Sequence, residues 1–268
     1  MSLENKTANW TELGVRPYDE VMRMQNTLVK LRASDAIGDT ILSVQHPISI
    51  NFGASQRDNQ FSELLLGRVR KRYGNIEPDS VVKYLADEGI SFHYSDRGGG
   101  ATAFAPGQYV FYPIVKHGAI TGKPSIDIGA YKSRIYLVLF DSLNNLGVNG
   151  IQVSDHQQFR DRNERRDAWI VRDGVTLKMG SKGIKISGDV AYHGFALYVD
   201  RDCILPNNMV NQCGYAPDEV KLWTVEHELG QPVSPSSVYD SVKSAMSRHF
   251  GYSGFVELTH LPTQEVVV

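Results

Sequence analysis

The pattern of apolar and polar positions changes period several times along the chain. From Pro17 to Ala33 the apolar residues Val21, Met22, Met24, Leu28 and Leu31 recur on a helical period, and Pro17 suits a first turn. The run ILSVQHPISINFG then predicts two strands broken at His46-Pro47, because the residue before a proline is pushed to extended geometry. Asn59 to Tyr73 predicts a basic amphipathic helix carrying Leu64, Leu65, Leu66 and Val69. Ser80 to Glu88 predicts a short one stopped by Gly89. ISFHYSD and QYVFYPIV read as strands, and Tyr131 to Leu146 as a long helix ending at Gly147. AWIVRDGVTLKMGSKGIKI predicts two strands joined at Asp173-Gly174, and FALYVD another strand. Pro235 to Phe250 closes the series as a helix with Ser234 as N-cap and Gly251 as stop. Helices and antiparallel-looking strands mix without strict alternation, which predicts an α+β fold.

Composition narrows the function classes. The chain has 268 residues, 41% of them hydrophobic, enough for a sizeable core. A net charge of −2 argues against a broad basic surface for nucleic acid, though not against a local patch for an acidic protein. The first ten residues, MSLENKTANW, have no apolar core of a secretory signal, and no apolar run is long enough to span a bilayer. Two cysteines, Cys203 and Cys213, do not make a disulfide framework. The expectation is a cytoplasmic protein with free thiols and no membrane attachment.

Four short patches carry candidate chemistry: RGGGATAFAPGQ from Arg97, KMGSKGIKIS from Lys178, HGFAL from His193, and QCGY around Cys213. The glycine patch is followed by a strand rather than a helix, so it is not a dinucleotide fingerprint. Its glycines let backbone amides approach a ligand that a side chain would block. GAITGKPS is not a phosphate-binding loop, since its spacing is one residue short and proline replaces Ser or Thr. Metal-ligand spacings are absent: there is no CxxC pair, and EHELG lacks a second histidine. Cys213 is a nucleophile candidate, although a cysteine alone is more often a small core residue. An ordinary thiol is roughly a few per cent thiolate at neutral pH, so catalysis needs a nearby cation. Lys178, Lys182 and Lys185 are the supply, and spacing does not choose among them.

In order and spacing these patches resemble the lipoyl(octanoyl) transferase family, within the biotin/lipoate protein ligase superfamily. The resemblance runs over residues 10–257: Gly14, Pro17-Tyr18 and Gln25; His46-Pro47 with Asn51-Phe52-Gly53; Arg97-Gly98-Gly99, Thr102 and Pro106-Gly107-Gln108; Ala168-Trp169-Ile170; Gly183 to Ser187; His193 to Leu197; Cys213-Gly214; and Glu228-Leu229-Gly230 with Pro232-Val233. It implies a mixed sheet flanked by helices, in one catalytic domain whose C-terminal part, about 203–257, forms a small subdomain. It implies that Cys213 carries an acyl thioester. It also selects Lys178, fifteen positions before His193, as the activating lysine. Substrate contacts map onto Arg97, Gly98, Gly99, Gly100, Ala101, Thr102, Ala103 and Phe104, onto Ser181, Lys182 and Gly183, and onto Gly194, Phe195 and Ala196. The family's loop histidine and the glycine after it are replaced by Phe104 and Ala105, and Tyr198 stands where the family has asparagine.

The implied reaction moves an octanoyl group from acyl carrier protein to a lysine of a lipoyl domain, with no metal or organic cofactor. Acceptors of this class are the E2 subunits of 2-oxoacid dehydrogenases and the H protein of glycine cleavage. Two other readings remain open. One is an ATP-dependent lipoate ligase or a lipoyl amidotransferase of the same fold. The other is a non-catalytic acyl- or carrier-binding homologue, motivated by Phe104 and Ala105.

Overall fold

The computed structural model describes residues 6–54, 61–116, 127–152, 167–211 and 221–262. Among them a nine-stranded mixed sheet forms the centre. Its strands are β1 (Thr7–Val15), β2 (Thr40–Gln45), β6 (Gln108–Lys116), β7 (Ile151–Gln152), β8 (Ala168–Arg172), β9 (Val175–Ser187), β10 (Val190–Tyr198), β11 (Lys221–Leu222) and β12 (Gly254–Glu257). The order is β12-β1-β2-β6-β10-β9-β8-β7, with β11 added on β9. A smaller sheet contains β3 (Ser49–Phe52), β4 (Ser91–Tyr94) and β5 (Ala101–Phe104) in the order β4-β3-β5.

Each face of the large sheet is covered. Helix α1 (Tyr18–Ala33) packs Val21 and Leu28 with Leu42, Val44, Tyr112, Tyr192 and Ala196. Helices α4 (Ile128–Asn145) and α7 (Pro235–Phe250) close the other face with Ile135, Leu139, Val242 and Met246, against Phe111, Leu177, Met179, Phe195 and Leu197. Removing side chains of this size from water contributes about 1.5–3 kcal/mol each. Helices α2 (Glu63–Tyr73) and α3 (Pro78–Asp87) back the small sheet through Leu65, Val69, Val81 and Leu85. Two short helices, α5 (Ile204–Asn207) and α6 (Val225–Leu229), fill the connections.

The α+β expectation holds, and so do most predicted elements. Asp173 and Gly174 both have positive φ, as a two-residue type I′ hairpin turn requires. Ser234 accepts a hydrogen bond from Ser237 N at 3.1 Å, and Gly251 ends α7 in the left-handed region. Two expectations change. Residues 101–104 are not part of a continuous glycine loop: they form β5, antiparallel to β3, with Thr102 opposite Asn51. The C-terminal part is not a separate subdomain among the described residues. Helix α7 lies in the main core, and β12 pairs in parallel with β1. The smaller unit is instead the β3–β5 sheet with α2 and α3.

Candidate functional site

Lys178 lies where three strands meet. It pairs with Trp169 of β8 on one edge of β9 and with Leu222 of β11 on the other. A bulge lies beside it, because Trp169 faces Lys178 while Ala168 already faces Gly180. Met179 and Gly180 are thereby both turned toward the α4 side. Met179 belongs to that core, and a Cβ on Gly180 would lie 3.2 Å from Leu139 Cδ1. The extra residue shifts the alternation by one. Lys178 then shares a face with Ser181, Gly183 and Lys185, whereas unbroken period-two alternation would place it with Lys182. On this face the Lys178 side chain is only 1% exposed. Its Nζ lies 3.1 Å from Asp167 Oδ2 and 5.5 Å from the centre of the Trp169 ring.

The glycine loop lies over the other end of the same face. Gly98 N donates to Ile184 O of β9 at 3.1 Å, and a Cβ on Gly183 would stand 3.0 Å from Gly98 O. Gly183 pairs in turn with Gly194 of β10. Backbone from the loop, β9 and β10 is thus stacked with no side chain between, the close approach that only glycine allows. Arg97, expected to touch substrate, is built into the loop. Its Nε donates to Asn51 Oδ1 at 2.8 Å, and its Nη2 donates to Asn51 O at 3.0 Å and Gly100 O at 2.8 Å. It braces the loop on β3. Asp96, one residue earlier, fastens the loop to the large sheet. It accepts from Lys185 Nζ at 2.6 Å, Tyr192 Oη at 3.0 Å and His193 Nε2 at 3.0 Å. Burial raises its pKa, but these hydrogen bonds outweigh burial and hold it down at about 2.

His193 reaches Asp96 from an unusual backbone. Its φ of 56° swings the imidazole to the same side as Tyr192, although consecutive strand residues ordinarily face opposite ways. Directly across, β6 carries Pro113, which has no N–H to complete the ladder. Burial lowers His193 to about 4, so at neutral pH it is a neutral donor to Asp96 rather than a partner in an ion pair. His46 behaves alike. It is buried and lowered to about 4, donates through Nδ1 to Arg16 O at 2.8 Å, and accepts from Tyr112 Oη at 2.9 Å.

These shifts predict an acid limit of stability. Both histidines bind a proton near pH 6.5 when unfolded and near 4 when folded, so the unfolded chain holds more protons between those values. Their contribution is complete above about 6.5 and is lost as pH falls toward 4, roughly 3 kcal/mol for each. Asp200 acts oppositely. Burial, with Glu226 and Asp202, raises it to about 6, so its contribution is present at low pH and lost as pH rises through 6. The urea midpoint should fall between pH 6.5 and 4, and Asp200→Asn should steepen that fall. A shallower slope in the variant would contradict the assignment.

The remaining predicted contacts are spread over both faces. Ser181 accepts from Tyr198 Oη at 3.3 Å, and Ala196 packs on the α1 side, on the face that holds Lys178. Phe195 does not share it, since its ring stacks on Phe111 at 5.3 Å in the α4 core and leaves only backbone in reach. The Lys182 backbone N–H donates to Asp167 Oδ1 at 3.2 Å, and Lys185 is taken up by Asp96. Ala101, Thr102 and Ala103 belong to β5. Phe104 is buried, stacked on Tyr18 at 5.4 Å and edge-on to His46 at 4.9 Å. Gly99 is exposed at the turn of the loop, and Gly100 behind it is half-buried. Cys213 lies outside the described residues. Leu222, nine positions later in sequence, is the register partner of Lys178, and Trp223 N donates to Lys178 O at 2.9 Å. Cys203 is described: it is buried beside Ala105, Tyr198 and Leu222, and burial pushes its thiol well above its ordinary value. Asp167 and Asp96 carry no signal in the sequence, because each sits in a polar run and acquires its partners only when distant segments meet in the fold.

Comparison with known proteins adds family and fold. Residues 17–247 match the family model described as the lipoyl protein ligase A/B catalytic domain. An octanoyltransferase from Roseiflexus sp. is 30% identical, covering 97% of each chain. The mitochondrial octanoyltransferase LIP2 of Arabidopsis thaliana is 27% identical, covering 94% of this chain and 92% of its own. Among solved structures, lipoate-protein ligase A bound with ATP superposes with a TM-score of 0.66 at 15% identity, covering 96% of this chain and 90% of the other. A putative lipoate protein ligase from T. acidophilum with bound lipoic acid gives a TM-score of 0.64 at 14% identity, with the same coverage. At such identities the structural likeness concerns the fold.

Proposed function

This chain belongs to the lipoyl protein ligase A/B catalytic-domain family, and we propose that within it the chain is an octanoyltransferase of protein lipoylation that works through a thioester on Cys213. Its octanoyltransferase relatives, near 30% identity over most of the chain, support the enzyme class. The donor proposed is octanoyl-acyl carrier protein, and the acceptor a lysine of a lipoyl domain such as an E2 subunit or an H protein. The observation that carries the reading is the buried ammonium of Lys178, on the face that also holds Ser181 and the glycine stack. A cation withheld from water favours a thiolate strongly.

In the first half-reaction the Cys213 thiolate attacks the thioester carbonyl, a carbon–sulfur bond forms to the enzyme, and the carrier leaves as its thiol. In the second, the acceptor amine attacks the acyl-enzyme, an amide forms, and Cys213 is released. Exchange of a thioester for an amide is downhill and needs no ATP. Lys178 stabilises the resting thiolate and is placed to polarise the oxyanion or to exchange a proton with the leaving thiol or incoming amine. Backbone N–H groups of the glycine loop or Gly183 are candidates for the oxyanion. Arg97 and Asp96 act indirectly by holding that loop, and Phe104 packs where the family's loop histidine would stand. No described helix is long and apolar enough to cross a membrane. A working Cys213 requires a reducing compartment, and the cytoplasm is the one proposed.

The test is intact mass after mixing the protein with octanoyl-acyl carrier protein in the absence of ATP. One octanoyl group should be gained by the wild type and none by Cys213→Ser. If both stay unmodified while a control octanoyltransferase is acylated, the thioester mechanism is wrong, and binding without catalysis becomes the better account. Modification that appears only with free octanoate and ATP would identify a ligase.

A further inference from the structure

Asp167 joins the two sides of the β9 bulge. One carboxylate oxygen lies 3.1 Å from Lys178 Nζ before the bulge, and the other accepts the Lys182 N–H at 3.2 Å after it. The carboxylate is itself buried, at 8% side-chain exposure. The groups facing the ammonium thus include Asp167 from the stretch entering β8 and the Trp169 ring from β8, while its register partner on β11 is the apolar Leu222. We propose that Asp167 is a positioning residue that keeps Lys178 protonated and aimed at every stage of acyl transfer, including the stage at which no thiolate exists. The inference rests on the Cys213–Lys178 reading above.

The argument is one of charge balance. On the Cys213–Lys178 reading, the resting thiolate and Asp167 both balance the ammonium of Lys178. Once Cys213 is acylated its sulfur is neutral, and a buried ammonium that loses a neighbouring anion holds its proton less tightly. Asp167 supplies a counter-charge that chemistry at sulfur does not remove. Of the roles open to Lys178, this leaves the fixed positive charge that polarises the oxyanion, and the departing carrier thiol takes its proton from solvent. When the acceptor amine attacks, the C–N bond forms, the C–S bond breaks, and the amine's proton ends on the departing Cys213 sulfur or in solvent. The bulge gives this pair its geometry, because it sets the Lys178 side chain and the Lys182 N–H within reach of one carboxylate.

The pair is tested without catalysis by carbon-13 NMR of the Lys178 Cε in a Cys213→Ser background, with the resonance assigned by its loss in Lys178→Met. Adding Asp167→Asn, which keeps an acceptor for Lys182 N–H, should lower the titration midpoint by at least one pH unit, a tenfold change in proton affinity; Asp167→Glu should return most of it. An unchanged midpoint overturns the proposal. With Cys213 intact, Asp167→Asn should slow transfer from the acyl-enzyme at least tenfold at neutral pH. The rate should fall further as pH rises, whereas the wild type stays flat and Asp167→Glu recovers that profile. Equal single-turnover rates and pH profiles in Asp167→Asn and wild type also overturn it. If wild-type Cys213 never gains an acyl group, the functional reading has failed, and the NMR titration still decides the role of Asp167.

Discussion

Lys178→Met should reduce octanoyl transfer by roughly 10³-fold and also lower stability by roughly 3–5 kcal/mol. The two effects have different causes. Loss of activity follows from removing the positive charge that favours the thiolate and the developing oxyanion. Loss of stability follows from removing the ammonium that lies 3.1 Å from the buried Asp167 carboxylate. Methionine keeps the length and most of the volume of the lysine stem, so the cavity term is small. The two effects are separable by a second change. Lys178→Met with Asp167→Asn removes the unbalanced charge, keeps an acceptor for the Lys182 N–H and should recover most of the urea midpoint, while activity stays at the level of the single variant. Urea titration and single-turnover transfer on the three proteins check this. A double variant that regains activity would remove Lys178 from the mechanism, and a single variant as stable as wild type would show that the pair carries no coupling in the folded state.

Much of the fold was legible because local signals agreed with tertiary demand. The α7 helix had its cap, its first-turn proline, its apolar stripe and its stop glycine in register. The hairpin at Asp173-Gly174 had the residues its positive φ values require. The break at His46-Pro47 separates β2 and β3, which belong to different sheets. Signals failed where pairing rather than pattern decides. β5 was hidden in a glycine-rich patch, since Ala101 to Phe104 is a strand only because β3 offers an edge. β1, β11 and β12 are polar or very short and acquire strand geometry from parallel partners. At the site, alternation along Lys178, Lys182 and Lys185 left the choice among lysines open. Period two would group Lys178 with Lys182, and the bulge at Met179–Gly180 instead groups it with Lys185. A one-residue insertion in register leaves no local sequence signature, and for the same reason Asp167 could not be paired with Lys178 by eye.

Gly194→Ala should leave little or no folded protein, with a loss above about 4 kcal/mol. A Cβ at this position would lie 2.0 Å from Phe111 O and 2.7 Å from Pro113 Cδ, well inside van der Waals contact. Neither atom is at the end of a flexible side chain: one is backbone carbonyl, and the other is a ring atom fixed to backbone. Relief would require β6 and β10 to separate at the middle of the large sheet, where both are buried along nearly their whole length. It would also displace Gly183, the register partner of Gly194, and with it the support under Gly98. Gly188 is the control. Its φ is 58°, but nothing lies within 4 Å of an added Cβ. Gly188→Ala should therefore show only the backbone penalty, about 1–2 kcal/mol. Thermal unfolding of the two variants separates steric exclusion from conformational preference. If Gly194→Ala unfolds within a few degrees of Gly188→Ala, the close approach of β6 and β10 is softer than this packing requires, and the glycine of the His-Gly pair has to be explained by what it admits above the sheet rather than by what lies beside it.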